Sequence, residues 1–234
     1  MAEHQHAAPA GATGPMPVDV VSDVVCPWCF IGKRRLEKGL ARRPDIPVTV
    51  RWHPFFLNPW VPVEGMDRRR YLETKFGSVE RYAPIAARVA AAAAEEELTY
   101  ASDRIARQPN TRDCHRLIRW AGEAGIDPGR MKQRLMELYF TEGADLTTHE
   151  TLVAAARDCG LEADEVAARL RTDRDVEAVE AEAQAAQAAG IEGVPCFIFG
   201  GVLAVSGAQA PEYLADALAR AAAQWQTRQG STTG

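Results

Sequence analysis

The sequence predicts an α/β fold in which a β-α-β unit near the N-terminus and a β-β-α unit near the C-terminus flank a large inserted α-helical domain. Three observations carry this. "MPVDVVSDVV" (16–25) is short and valine-rich, as a buried strand is, and runs directly into a helical pattern. From Asp67 to Ala189 the chain is dominated by Ala, Glu, Arg and Leu, and β-branched residues thin out. Strand texture then returns in "GVPCFIFGGVLAVSG" (193–207). Each half is too small to bury its strands alone, so an interrupted domain explains the order more simply than two sequential ones.

The elements follow in order. A strand over 17–23 leads to "PWCFIGKRRLEKGLARR", whose Phe30, Ile31, Leu36 and Leu40 recur at helical spacing. Basic residues crowd its far end, where they suit the helix dipole. Pro44 and Pro47 mark a turn, and "VTVRWHPFFL" (48–57) alternates as a second strand. Val48, Val50 and Trp52 fall on one face, and Thr49, Arg51 and His53 on the other. The block over 67–189 is expected to be almost wholly helical, broken at "QPNT", "AGIDPGR", "EGADLT" and "DCGLEAD". Asp145 or Thr147, and Glu162 or Asp164, stand where N-caps belong. Gly200 and Gly201 join two apolar runs into a hairpin, and "APEYLADALARAAAQW" closes with a helix whose first turn holds Pro211. The expected division is a disordered tail over 1–16, a domain built from 17–66 and 190–226, an inserted helical domain over 67–189, and a C-terminal tail over 227–234.

The composition narrows the function classes. The chain has 234 residues, 47% of them hydrophobic, enough for a sizeable core. Its net charge is −5 with both signs interspersed, which argues against a nucleic-acid partner. No apolar run has the length of a membrane span, and the N-terminus lacks the basic and apolar regions of a secretory signal. A cytoplasmic location is therefore expected. His4 and His6 belong to the tail and are not read as metal ligands.

Five cysteines are present: Cys26, Cys29, Cys114, Cys159 and Cys196. In a reducing compartment a Cys-x-x-Cys is catalytic or metal-binding more often than a structural staple. Pro27 suits the first helical position, which makes Cys26 the N-cap and puts Cys29 one turn along on the same face. The first thiol then meets unpaired backbone N–H groups and the positive end of the dipole, which favours thiolate. The second is shielded and can attack a mixed disulfide from within. A zinc site would need two more ligands, and no second Cys-x-x-Cys exists. Pro195 in "GVPCF" reads either as a strand-entry proline or as a cis-proline facing the cysteines, with the Val194 backbone open to an extended substrate. Cys196 is then expected to point away from Cys26 as an inert buried thiol.

A strand, CPWC opening a helix, an inserted helical domain and a GVP loop before a hairpin together resemble the thioredoxin-like fold of the DsbA family. "CPWCFIGK", "FFLNP", "NTRDCHRL" and "GVPCFIF" followed by "SGAQ" resemble its FrnE-type branch, itself similar to 2-hydroxychromene-2-carboxylate isomerases and kappa-class glutathione transferases. The resemblance covers roughly residues 17–225. It implies a thiol-disulfide oxidoreductase with Cys26 as nucleophile, Cys29 as resolving thiol and Pro195 as the cis-proline. The isomerase and transferase relatives usually carry serine where Cys26 stands, and this chain keeps both cysteines. The chain departs from the pattern at Cys114 and Cys196.

The expected partners are protein or small-molecule thiols and disulfides, with thioredoxin or glutathione as reductant. No bound cofactor is expected; glutathione stands as a candidate co-substrate, and a homodimer stays open. The rival readings are a glutathione-dependent isomerase or transferase acting on a small aromatic compound, and a non-catalytic redox-sensing or chaperone-like module. Pro27 and Trp28 are expected to form a substrate lip, with Trp28 exposed. His53 is either a proton-transfer aid to Cys29 or a satisfied strand histidine, and Asp23 either a buried acid tuning the thiol or a turn carboxylate. Asn110 is expected to cap a helix or to contact substrate, and Cys114 and Cys159 are read as buried free thiols.

Overall fold

The computed structural model describes residues 14–231. Most of the expected N-terminal tail, with His4 and His6, lies outside the described residues. Met16 does not belong to a tail: it is 1% exposed and opens the first strand.

Strand β1 (Met16–Ser22) runs into helix α1 (Pro27–Ala41) and returns through β2 (Val48–Pro54). Then come β3 (Met66–Asp67), α2 (Arg68–Phe76), α3 (Val79–Glu95) and β4 (Arg107–Gln108). The helices α4 (Arg112–Glu123), α5 (Pro128–Glu137), α6 (His149–Cys159), α7 (Ala163–Leu170) and α8 (Val176–Ala188) complete the insert. Strands β5 (Cys196–Phe199) and β6 (Leu203–Ser206) precede α9 (Pro211–Ser231). The last helix thus continues through the start of the stretch expected as a C-terminal tail.

The main sheet has the order β2-β1-β5-β6. β1 pairs in parallel with β2 and antiparallel with β5, Val18 opposite Phe199 and Val20 opposite Phe197. Strands from the two ends of the chain therefore share one sheet. β5 turns into β6 through Gly200 and Gly201, at φ 59° and 65°, a left-handed pair that glycine adopts without a Cβ clash. On one side of the sheet, α1 and α9 bury Leu36, Leu214 and Leu218 against Val18, Val20, Phe197 and Phe199.

The insert is not wholly helical. Met66 and Asp67 pair antiparallel with Gln108 and Arg107, a short ribbon that ties the start of the insert to the loop before α4. Two-residue strands carry too little periodicity to be seen in sequence. One of the two cap expectations shifts and the other holds. Thr148, not Asp145 or Thr147, accepts the Thr151 N–H and caps α6. Glu162 occupies the N-cap of α7, with no side-chain cap bond.

The largest apolar cluster joins Val24, Val25, Cys26, Cys29 and Phe30 to Cys114, Leu117, Met131, Leu135 and Phe140 of the insert. The start of α1 is thus enclosed by the insert, and the boundaries between sheet domain and insert are topological rather than breaks in the core.

Candidate active site

The site is built where β1 ends. Cys26 is extended (φ −90°, ψ 113°) and forms the N-cap of α1, with Pro27 at the first helical position. The carbonyl of Cys26 accepts from the N–H of Cys29 at 3.0 Å and of Phe30 at 3.2 Å, which closes the first turn and brings the two side chains to one face. Both are free thiols, 3% and 2% exposed.

The two sulfurs differ in acidity. A hydrogen bond from the Cys29 thiol, outweighing burial and helped by the N–H groups of Cys29 and Trp28, holds Cys26 below its ordinary value of 9.0. Burial, together with that same donated bond and the neighbouring Cys26 charge, pushes Cys29 well above 9.0. The pair therefore ionises at Cys26 first.

The second half of the chain reaches this point through the loop before β5. The Val194–Pro195 peptide is cis. The Cys26 thiol donates to the Val194 carbonyl at 3.6 Å. α1 passes close enough to this loop that a Cβ on Gly32 would meet Pro195 Cγ at 2.8 Å and Phe197 Cζ at 3.2 Å. Only glycine fits there without displacement. Cys196 is 4% exposed and packs with Val21 and Phe55, in a cluster separate from the one that holds Cys26 and Cys29.

The remaining expected residues are placed as follows. Trp28 is half-buried rather than exposed, because Arg88 of α3 covers its ring at 5.8 Å and it packs against the clusters on both sides. His53 has both ring nitrogens occupied, Nδ1 by Glu182 and Nε2 by Asp19, each at 2.7 Å. No ring nitrogen is left to serve Cys29. Asn110 precedes the N-cap, which is Thr111. Its Oδ1 still accepts the Arg112 N–H at 3.0 Å, while Nδ2 donates to the Val61 carbonyl at 2.9 Å. Asp23 is a buried acid, 1% exposed, in the turn after β1. It accepts the Leu57 N–H at 2.8 Å and faces His115 Nε2 at 3.3 Å. Burial raises its pKa, but these bonds outweigh burial and leave it below 3.8. Burial also leaves His115 below its ordinary value. Cys114 and Cys159 are buried thiols with raised pKa values, again through burial.

A cleft of about 510 Å³ opens beside the cysteines, lined among others by Asp23, Val25, Asn58, Trp60, Asn110 and Arg112. Asn58 was not singled out by sequence, although it lies in "FFLNP". It is 6% exposed, its Oδ1 accepts from Lys75 and Tyr71, and its Nδ2 has no protein partner. Lys75 is an exposed residue whose ammonium turns in to the Asn58 side chain; desolvation there lowers its pKa, while the charges of Cys26 and Asp23 pull it back up. Lys132, also missed, is 1% exposed behind the site. Its signal was a charged residue on the apolar stripe of α5 with Met131, Leu135 and Met136.

The family model for a DSBA-like thioredoxin domain matches residues 17–219. A search of curated proteins gives no match. Among solved structures, the "probable DsbA oxidoreductase" of Streptomyces coelicolor is 33% identical, with 88% of this chain and 89% of that chain covered and a TM-score of 0.81. A 2-hydroxychromene-2-carboxylate isomerase matches at 17% identity, 94% and 100% coverage and a TM-score of 0.65. The cytosolic disulfide reductase DsbM from Pseudomonas aeruginosa, solved with GSH, matches at 17% identity, 91% and 98% coverage and a TM-score of 0.57. The last two likenesses are of fold alone.

Proposed function

We propose that this chain, which belongs to the DSBA-like thioredoxin-domain family, is a thiol-disulfide oxidoreductase working through Cys26 and Cys29. The observation that carries the reading is the opposite displacement of the two thiols on one helical turn, Cys26 down and Cys29 up. In the reducing direction the Cys26 thiolate attacks a substrate disulfide, forms a mixed disulfide and releases one substrate sulfur as thiolate. Cys29 then attacks Cys26, the internal disulfide forms, and the second substrate sulfur leaves with the electron pair. The dithiol is oxidised and the substrate disulfide reduced; the reverse sequence oxidises a substrate dithiol.

The substrates proposed are protein or small-molecule thiols and disulfides, with thioredoxin or glutathione restoring the dithiol, no resident cofactor, and the cytoplasm as the compartment. Placement in the FrnE-type branch is part of the same proposal. Among the described residues no helix is long and apolar enough to cross a membrane. A second reading, glutathione-dependent isomerisation of a small aromatic compound, draws on the cleft that Asn58, Trp60 and Asn110 help to line.

The discriminating experiment compares wild type with Cys26→Ser in reduction of insulin disulfides and in glutathione-dependent isomerisation. Loss of disulfide reduction in the variant is the expected result. Isomerisation retained in Cys26→Ser, with no disulfide reduction by wild type, would instead favour the second reading.

A further inference from the structure

His53 has no ring nitrogen to spare for the cysteines, yet its two bonds join elements that border the site. Nε2 meets Asp19 on β1 and Nδ1 meets Glu182 on α8, each at 2.7 Å. A carboxylate only accepts hydrogen bonds, so both ring nitrogens donate and the ring is an imidazolium. Loss of one proton sets a lone pair against a carboxylate oxygen and breaks one arm of the bridge. Asp19 and His53 stand on paired strands, and Arg51 holds Asp19 through two further bonds of 2.7 Å. Those two cannot separate, so the proton stays on Nε2 and the bond to Glu182 is the one lost.

Helix α8 depends on that bond. Its buried residues are Val179 and Ala183. Among the described residues no other side-chain hydrogen bond leaves α8, and Glu180 stands 3.9 Å from Arg112, beyond hydrogen-bond reach. A cavity of about 220 Å³ beside the bridge leaves the helix space to move; Val179, His115, Arg119 and Lys132 line it with His53 and Glu182. The charged groups that reach it from α4 and α5 have partners of their own. His115 faces Asp23, Arg119 bonds Glu123, and Lys132 donates to the Ser22 carbonyl.

The same helix also borders the site. Glu180, Ala183, Gln184 and Gln187 form one wall of the cleft beside the cysteines. Its C-terminal end grips the next loop, where the Ile191 N–H donates to the Ala186 carbonyl at 3.2 Å. Ala186, Ile191 and Val194 pack against one cluster, and the Val194 carbonyl accepts from the Cys26 thiol at 3.6 Å. A shift of α8 therefore moves both the cleft wall and the backbone that meets Cys26.

We propose that His53 is a positioning residue, whose imidazolium clamps α8 to the sheet and so holds the substrate cleft and the Val194 carbonyl in place against Cys26. The proposal rests on the dithiol reading above. The Glu182 bond, then the Asp19 bond, raises the histidine's pKa above 6.5 against the pull of burial. The clamp is thus engaged below that raised value and opens as pH climbs through it.

Two measurements on the full chain test this. The first is KM and kcat for reduction of insulin disulfides by wild type and His53→Gln, from about pH 6 to pH 9. Gln is uncharged and has one donor nitrogen where the imidazolium has two. At the acid end the variant's KM exceeds that of wild type by about 5-fold or more, while kcat changes little. The KM ratio then falls toward one as wild-type His53 loses its proton; the titration of Cys26, which both proteins share, cancels in it. Glu182→Gln keeps an acceptor without the charge and moves the wild-type step to lower pH. A KM ratio that is constant across the range, or a loss confined to kcat, would overturn the proposal.

The second measurement is hydrogen exchange over residues 176–194 without substrate, corrected for the intrinsic exchange rate. Protection falls with rising pH in wild type and is low and flat in His53→Gln. Wild-type protection that does not change with pH would overturn the clamp, and this comparison stands even if the variant misfolds. A wild type that reduces no insulin disulfides, yet shows the expected exchange profile, would instead remove the dithiol reading.

Discussion

The sulfur of Cys26 lies 3.6 Å from the carbonyl oxygen of Val194, a residue 168 positions away in the chain. This contact joins the start of α1 to the loop before β5, and it sets the more acidic of the two thiols against a backbone carbonyl. An extended substrate bonded to that backbone would bring its disulfide to the same sulfur.

The acidity of Cys26 depends first on the thiol of Cys29. Alkylation of Cys26 is therefore expected to show an inflection below 9.0 in wild type, to move upward in Cys29→Ala, and to stay low in Cys29→Ser, which keeps a donor. Cys29 in Cys26→Ala should react only well above that range. Rate-against-pH curves with iodoacetamide measure all of these, and identical inflections for the two cysteines would refute the division of roles.

Gly32 is the point where α1 touches the loop that carries Pro195. Gly32→Ala has to push that loop away, because its Cβ would stand 2.8 Å from Pro195 Cγ. Overpacking of this kind costs about 1–3 kcal/mol, seen as a lower urea midpoint. Exchange with a protein disulfide should slow as well. An unchanged midpoint and rate would mean that the loop yields freely.

Arg116 is 1% exposed and holds the α7–α8 connection from inside. It donates to the carbonyls of Arg169, Thr172 and Arg174 and to the Asp113 carboxylate. Arg116→Ala strands these acceptors and should cost about 3–5 kcal/mol. Arg116→Lys recovers little of it, since an ammonium cannot reproduce the planar fork. Urea unfolding of the three proteins checks this; a loss under about 1 kcal/mol would show that water replaces the side chain.

His53 bridges Asp19 on β1 and Glu182 on α8, and the Glu182 bond first, then the Asp19 bond, raises its pKa above 6.5 against the pull of burial. A raised histidine stabilises the fold fully below 6.5, the unfolded value, and loses that contribution as pH climbs through the folded value. Asp19 is depressed, as the bonds from Arg51 and His53 outweigh its burial. Its share is present above 3.8 and disappears as pH falls through the depressed value. The stability difference between wild type and His53→Gln should thus shrink as pH rises from 6 toward 8. A difference that stays constant, measured as urea midpoints across that range, would remove the charged bridge.

Reading the chain from its residues found the elements that have enough length to show a period. The valine run of β1, the helical spacing of α1 and the paired glycines between β5 and β6 each follow from local sequence. What escaped was short or cooperative. The β3–β4 ribbon spans two residues a side, and the capping role fell to Thr148 because the turn at Asp145 uses Asp145 on its own Thr147. Trp28 looked exposed because its cover, Arg88, lies on a helix sixty positions on.

The sequence by itself determined the pairing of Cys26 with Cys29, since a proline at the first position and a three-residue spacing dictate one turn and one face. It also determined the interrupted topology, because strand-forming segments too small to pack alone stand at both ends of a helical block. Only the tertiary structure decided the electrostatics. Whether Asp23, His115 and Lys132 are buried, and what each faces, depends on how α4 and α5 close over the start of α1. Burial and charge neighbours act through space and not along the chain. The same lysine that would be an ordinary solvated cation on an exposed helix has, under that cover, a pKa that burial pulls down to about 8.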